Sequence, residues 1–267
     1  MSLDLDERQR AMLAEMGIRL FTPVMALPGA APAPTAARAP VPAAVRPQPV
    51  NQAVPAPAAP VPATATGTLR ERPAGVADMD WPALREAVAG CQACKLCERR
   101  RNTVFGVGDE QADWLIVGEA PGENEDIQGE PFVGQAGKLL DNMLRAIGLA
   151  RRERVYIANV LKCRPPGNRN PAPEEIAQCA PYLLRQIELL QPKIILAMGR
   201  FAINTLLAPS VPGVDAIPVG KLRGQVHRFG SIPVIVSYHP AYLLRNLPEK
   251  GKAWADLCLA HEVMTSP

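Results

Sequence analysis

At 267 residues and a formal charge of +3, the chain is long enough for one or two domains, but too weakly basic for charge alone to prove a nucleic-acid partner. No apolar run approaches the length of a bilayer span, so a membrane-embedded helical protein is excluded and a soluble, cytoplasmic one is expected. Residues 1–27 begin with acids rather than a basic stretch, unlike a signal peptide, and carry Leu5, Met12, Leu13, Met16 and Leu20 at roughly helical spacing. This short segment reads either as a docking helix for a protein partner or as an amphipathic stretch with no partner. Residues 28–75 are a Pro/Ala-rich linker in which Arg38 and Arg46 are the only charges up to Gly67. Repeated proline removes amide donors and favours extended backbone, so a disordered, semi-stiff tether is expected. Residues 76–267 remain as one folded domain, large enough to bury a core.

Within that domain a helix is expected at Trp81–Ala89, followed by an apolar β-type run at Trp114–Gly118. Helical patterning returns at Gln135–Ile147, then a strand at Val155–Asn159, a helix at Pro173–Leu190 and a strand at Lys193–Met198. A helix at Arg200–Leu207, a strand at Pro233–Ser237 and a last helix near Lys252–Met264 complete the series. Strands alternating with helices imply βαβ units. The expected fold is α/β, a three-layer α/β/α sandwich around a central, mostly parallel four-stranded sheet. Basic residues cluster at Lys95–Arg101, Arg151–Arg154 and Lys221–Arg228; such runs are either solvated faces or a phosphate track.

The segment after the first strand, Gly118 to Gly134, is too rich in Gly, Pro and carboxylates to be a mere connection. Ligands of α/β folds sit at the carboxyl ends of the strands. Acids, an aromatic and close-approach glycines there describe a pocket.

The cysteines point to metal rather than disulfides, since six thiols without a secretory signal do not make a disulfide framework. Cys91 and Cys94 form a C-x2-C knuckle with Cys97 three residues on; Cys163 and Cys179 come much later. Thiolates suit zinc or an iron–sulfur cluster, and ligand arithmetic cannot separate the two. Cys258, on the apolar face of the last helix, is read as a small buried hydrophobe.

These pieces together resemble the iron–sulfur (family 4) uracil-DNA glycosylases. The resemblance rests on Gly118-Glu119-Ala120-Pro121-Gly122 with Glu125-Asp126 and Pro131-Phe132-Val133-Gly134; on Asn159 leading to Lys162-Cys163-Arg164-Pro165-Pro166; on Lys221-Leu222-Arg223-Gly224; and on Ser237-Tyr238-His239-Pro240 running to Asn246. It covers roughly residues 85 to 262. It implies a structural [4Fe–4S] cluster held by Cys91, Cys94, Cys163 and Cys179, with Cys97 as a competing ligand. It also implies excision of uracil from single- or double-stranded DNA by a monomeric, monofunctional hydrolase in base-excision repair.

The chemistry of that reaction assigns further roles. A flipped base needs an aromatic floor, which matches Phe132, and the N3–H donor and O4 acceptor of uracil suit a fixed amide, which is Asn159. By resemblance His239 donates to the pyrimidine O2 as negative charge develops, and Gly118, Glu119 and Ala120 line the substrate. Ala120 stands where the best-known branch carries a water-activating Asp, so Glu119 or Glu125 is left to handle the water, with equal claim. Gly122 stands where that branch uses a Tyr against thymine, so thymine must be excluded by other means. Leu243 resembles the wedge that fills the hole left by the flipped base. Arg245, Lys221 and Arg223 are candidate phosphate contacts. Two other readings stay open: a uracil-DNA binding protein that traps DNA covalently through His227, and a non-catalytic cysteine-metal adaptor.

Overall fold

A computed structural model describes residues 71–265. The expected helix of residues 1–27 and nearly all of the linker lie outside the described residues. Helix α1 (Trp81–Ala89) opens the domain, with Asp80 capping the Ala83 N–H at 3.0 Å and Pro82 in its first turn.

The sheet has six strands in the order β1-β3-β2-β4-β6-β5. Strands β2 (Trp114–Gly118), β3 (Val155–Asn159), β4 (Ile194–Met198) and β6 (Ile232–Ser237) are mutually parallel. β1 (Val107–Gly108) and β5 (Val226–Phe229) add antiparallel edges. The expectation of four strands is therefore corrected to six. β1 is too short to carry any pattern, and β5 alternates between exposed and half-buried positions, with too little apolar content to stand out.

Helices α2 (Glu123–Gln128) and α3 (Gln135–Ala146) link β2 to β3, and α4 (Pro173–Leu190) links β3 to β4. Beyond β4 come α5 (Arg200–Leu207), the single turn α6 (Val219–Leu222), α7 (Pro240–Arg245) and α8 (Lys250–Thr265). Alternate residues of a strand face opposite sides. Leu115 and Val117 accordingly join one core with Leu183 and Ile187 of α4 and Ile203 and Leu206 of α5. Trp114 and Ile116 join the other, with Leu140 and Met143 of α3 and Leu257 of α8. Burial on both faces is why the parallel strands read as unbroken apolar runs.

The chain steps one way from β2 to β3 and back across β2 to reach β4. Right-handed crossovers then place α3 on one face and α4 and α5 on the other, which opens a crevice at the carboxyl ends of the strands. The register Gly118↔Asn159 and Met198↔Ser237 brings those four ends to one rim. The Gly118–Gly134 segment, read from sequence as loop, contains α2. Glu123, Glu125 and Asp126 crowd its first turn, where acids are favoured, and Gly122 and Gly129 bracket it. Among the described residues no helix is long and apolar enough to cross a membrane.

Candidate active site and cysteine pocket

A cleft of about 810 Å³ opens on that rim, and Glu119, Phe132, Asn159 and His239 all line it. Glu119, Asn159 and His239 arrive from the ends of β2, β3 and β6 and Phe132 from the segment between α2 and α3, so sequence-distant motifs meet at one hole. Asn159, the last residue of β3, is 2% exposed, and its Oδ1 has no hydrogen-bond partner. A buried acceptor without a donor is costly, and ligand-free sites are where such atoms persist.

Phe132 meets the Asn159 amide over Gly118. A Cβ built on Gly118 would lie 2.4 Å from Asn159 Oδ1 and 2.5 Å from Phe132 Cζ. Phe132 has φ 54°, a left-handed conformation that costs a bulky residue roughly 1–2 kcal/mol. Two features hold it there. Arg151, paired with Asp141 at 2.9 Å, donates to the Pro131 and Phe132 carbonyls at 2.9 and 2.7 Å. Gly137 lets that backbone press on the first turn of α3, for a Cβ there would sit 1.7 Å from the Phe132 carbonyl oxygen. Neither residue was singled out from sequence as a support of the pocket. In the basic run that contains Arg151, Arg152 pairs with Glu130 and Arg154 with Asp113 at the surface.

His239 caps α7. Its ring stacks on Phe132 at 5.3 Å between centroids, and its Nδ1 accepts the Ala241 N–H at 3.2 Å. Acceptance at Nδ1 fixes the tautomer and leaves the proton on Nε2. Burial first, and Arg245 second, push its pKa down to about 4, against an opposing pull from Glu125. The imidazole is neutral at physiological pH.

The two glutamates part company. Glu125 is fully engaged: Oε2 accepts from Gly122 N–H at 3.1 Å, and Oε1 from Val133 and Gly134 N–H at 2.8 and 3.0 Å. It braces the loop that carries Phe132. Among the described residues Glu119 has no side-chain partner, and burial raises its pKa above the usual carboxylate range. Ala120 lines the same cleft without any polar group.

The DNA-contact expectations need two corrections. Leu243 is 0% exposed, inside the core beneath α7, because the helical turn after His239 rotates it inward. Leu244 and Leu247 are the exposed apolar residues there, at 41% and 60%. Arg223 is no phosphate contact. It forms a buried pair with Asp256 at 2.7 Å, donates to the Lys252 carbonyl and lies 4.7 Å over the Tyr238 ring. Lys221 and Arg245 are exposed, and Arg245 lines the cleft. His227 lies on β5 with Nε2 2.7 Å from the Leu222 carbonyl, outside the residues that line the cleft.

On the other side of the Asn159–Cys163 turn, Cys91, Cys94, Cys97, Cys163 and Cys179 line one pocket. Arg100 Nη1 donates to Cys163 Sγ at 3.2 Å, and the Lys162 backbone N–H donates to Cys179 Sγ at 3.1 Å. Burial pushes the Cys163 thiol up to about 11 and the Cys179 thiol up to about 12. Among the described residues no three metal-binding side chains converge as ligands of a single ion would. Five soft donors spread around a cavity instead suit a cluster, whose thiolates each bind a different iron. Cys258 corrects an expectation: it is exposed on α8, away from the buried Ala253, Leu257 and Ala260.

Comparison with known proteins agrees with this geometry. Residues 105–258 match the family model described as the uracil DNA glycosylase superfamily. The chain is 48% identical over 161 residues to a protein of Archaeoglobus fulgidus named type-4 uracil-DNA glycosylase, covering 59% of this chain and 79% of that one. It is 42% identical over 187 residues to a protein of the same name from Saccharolobus solfataricus, covering 68% and 86%. Likeness to a type-5 uracil-DNA glycosylase of Thermus thermophilus is lower, 34% over 119 residues, covering 39% and 54%.

Proposed function

The chain belongs to the uracil DNA glycosylase superfamily, and from that membership we propose that it is a cytoplasmic DNA-repair enzyme that removes uracil from DNA. It acts as a monomeric, monofunctional hydrolase of the N-glycosidic bond and leaves an abasic site. The reading is carried by one observation: the buried, unpartnered Asn159 Oδ1 shares a single cleft with Phe132 and His239.

The flipped ring stacks on Phe132. Asn159 Oδ1 accepts from uracil N3–H while its amide N–H donates to O4. Cytosine offers an acceptor and a donor in the reverse places, and a buried polar mismatch of this kind discriminates by about 10⁴-fold or more. Water oxygen bonds to C1′ and loses a proton to solvent, the C1′–N1 bond breaks with its electron pair passing into the uracil ring and O2, and the released uracil anion takes up a proton from solvent. The neutral His239 donates its Nε2 proton as a hydrogen bond to that oxygen, in the manner of an oxyanion hole. Glu119, not Glu125, positions the water and offsets positive charge on the sugar, because both oxygens of Glu125 are already engaged. A lyase step needs an amine nucleophile, and none of the described residues lining the cleft is a lysine.

Cys91, Cys94, Cys163 and Cys179 would hold a [4Fe–4S] cluster, and Cys97 borders the same pocket. The cluster's contribution is structural, since glycosidic hydrolysis moves no electrons. The four thiolates tie the end of α1, the turn after β3 and α4 together. Lys221 and Arg245 meet phosphates, and Leu244 replaces Leu243 as the wedge. Residues 76–267 are assigned to catalysis, and a protein partner to the segment of residues 1–27.

The test is release of free uracil from a uracil-containing oligonucleotide with formation of an alkali-labile site. No release from either single- or double-stranded substrate would sink the reading.

A further inference from the structure

Lys162 is a charged side chain that the domain buries almost completely, at 1% exposure, in the turn between β3 and Cys163. A buried ammonium normally faces a carboxylate, but among the described residues no acid pairs with this one. Its Nζ donates to the Asn159 backbone carbonyl at 2.8 Å and to Gln186 Oε1 at 2.7 Å. Gln186, fully buried on α4, is itself fixed, because its Nε2 donates to the Phe105 carbonyl at 3.0 Å and the Tyr156 hydroxyl at 3.3 Å. Burial pushes its pKa down to about 8, and the sulfurs of Cys179 and Cys163 pull the other way.

The position of this charge matters. Asn159 is the last residue of β3, where the ladder ends, and its carbonyl needs a donor from outside the sheet. Beyond it, the Val160 and Leu161 amides bond to the Gly118 and Glu119 carbonyls, so the turn already holds the cleft wall from one side. Lys162 holds it from the other, and its own backbone N–H reaches Cys179. One short turn thus joins the base-reading amide to the cysteine pocket.

We propose that Lys162 is a positioning residue for base recognition: its side-chain nitrogen, held in place by Gln186, clamps the backbone carbonyl of Asn159 and so fixes the aim of the amide. This rests on the glycosylase reading. An apolar residue of the same volume would fill the space without holding the carbonyl.

The test compares the full-length wild type with Lys162→Met, purified with metal bound. Free uracil as a competitive inhibitor is expected to weaken about tenfold in the variant. Affinity for abasic-site DNA, which presents no base to Asn159, stays unchanged, whereas a merely structural defect would weaken both. An unchanged uracil inhibition constant or an equal loss on abasic DNA overturns the proposal. Should Lys162→Met fail to fold, Gln186→Leu leaves the ammonium but removes its second acceptor. It should weaken uracil inhibition about threefold with abasic-site affinity intact, and no change there also overturns the proposal. A wild type that neither releases nor binds uracil would defeat the glycosylase reading, and this inference with it.

Discussion

Replacing Gly118 by alanine is the smallest change that tests the base-reading slot. The added methyl carbon would lie 2.4 Å from Asn159 Oδ1 and 2.5 Å from Phe132 Cζ, well inside the roughly 3.5–4.0 Å of an ordinary carbon contact. Neither neighbour is the loose end of a flexible side chain. Asn159 pairs in register with Gly118 across β2 and β3, and Phe132 is pinned by Arg151 and by its contact with Gly137. Overpacking of this kind costs about 1–3 kcal/mol of stability. Recognition suffers as well, because moving the amide forfeits both bonds to uracil. At about 1.5 kcal/mol for each neutral bond, roughly 3 kcal/mol of transition-state binding is lost, on the order of a hundredfold in kcat/KM. Single-turnover excision from an end-labelled oligonucleotide, with calorimetric Tm alongside, measures both. A Gly118→Ala enzyme within about threefold of wild type would refute the slot as a rigid pair of walls.

Glu119→Gln should lower kcat about a hundredfold with little change in Tm, whereas Glu125→Gln should lower Tm. A glutamine has one acceptor oxygen for the three N–H groups that now share two, and a buried donor left bare costs about 1–3 kcal/mol. Equal Tm for both variants would contradict the division of labour. His239 is held down at about 4, below an ordinary value near 6.5. The unfolded chain therefore binds more protons between those values, and stability falls by up to about 3 kcal/mol as pH drops through that window. Chemical denaturation at pH 7 and pH 5 checks the sign, and His239→Asn should flatten the slope. Leu243→Ala should cost about 2–4 kcal/mol of stability as a core cavity. Leu244→Ala should leave Tm unchanged yet slow excision from duplex more than from single strands. The reverse pattern would restore Leu243 as the wedge.

Chemistry-bearing residues were legible because their motifs are local. Gly118–Glu119, Asn159 and His239 each lie at or just past a strand end, alternating strands and helices send such ends to one rim, and the segment after α2 brings Phe132 to the same rim. Unbroken apolar runs marked the four central strands, since burial on both faces demands them. The edge strands escaped notice for the opposite reason: two residues in β1 and a half-exposed β5 bury too little to leave a pattern. Sequence also left Glu119 and Glu125 equivalent, and only the fold separates them. Helix α2 turns the Glu125 carboxylate back onto three backbone N–H groups, while Glu119 stays unpaired in the cleft.

Composition and spacing thus determined the fold class, the pocket's location and the thiol-rich second site, since each follows from short-range pattern. Tertiary structure decided which side of a helix a residue occupies and which charges cancel. It turned Leu243 inward, paired Arg223 with Asp256 and buried Lys162 beneath the turn that follows Asn159. Rotation about a helix axis and the partner of a charge depend on what packs from elsewhere in the chain, and no local motif encodes that.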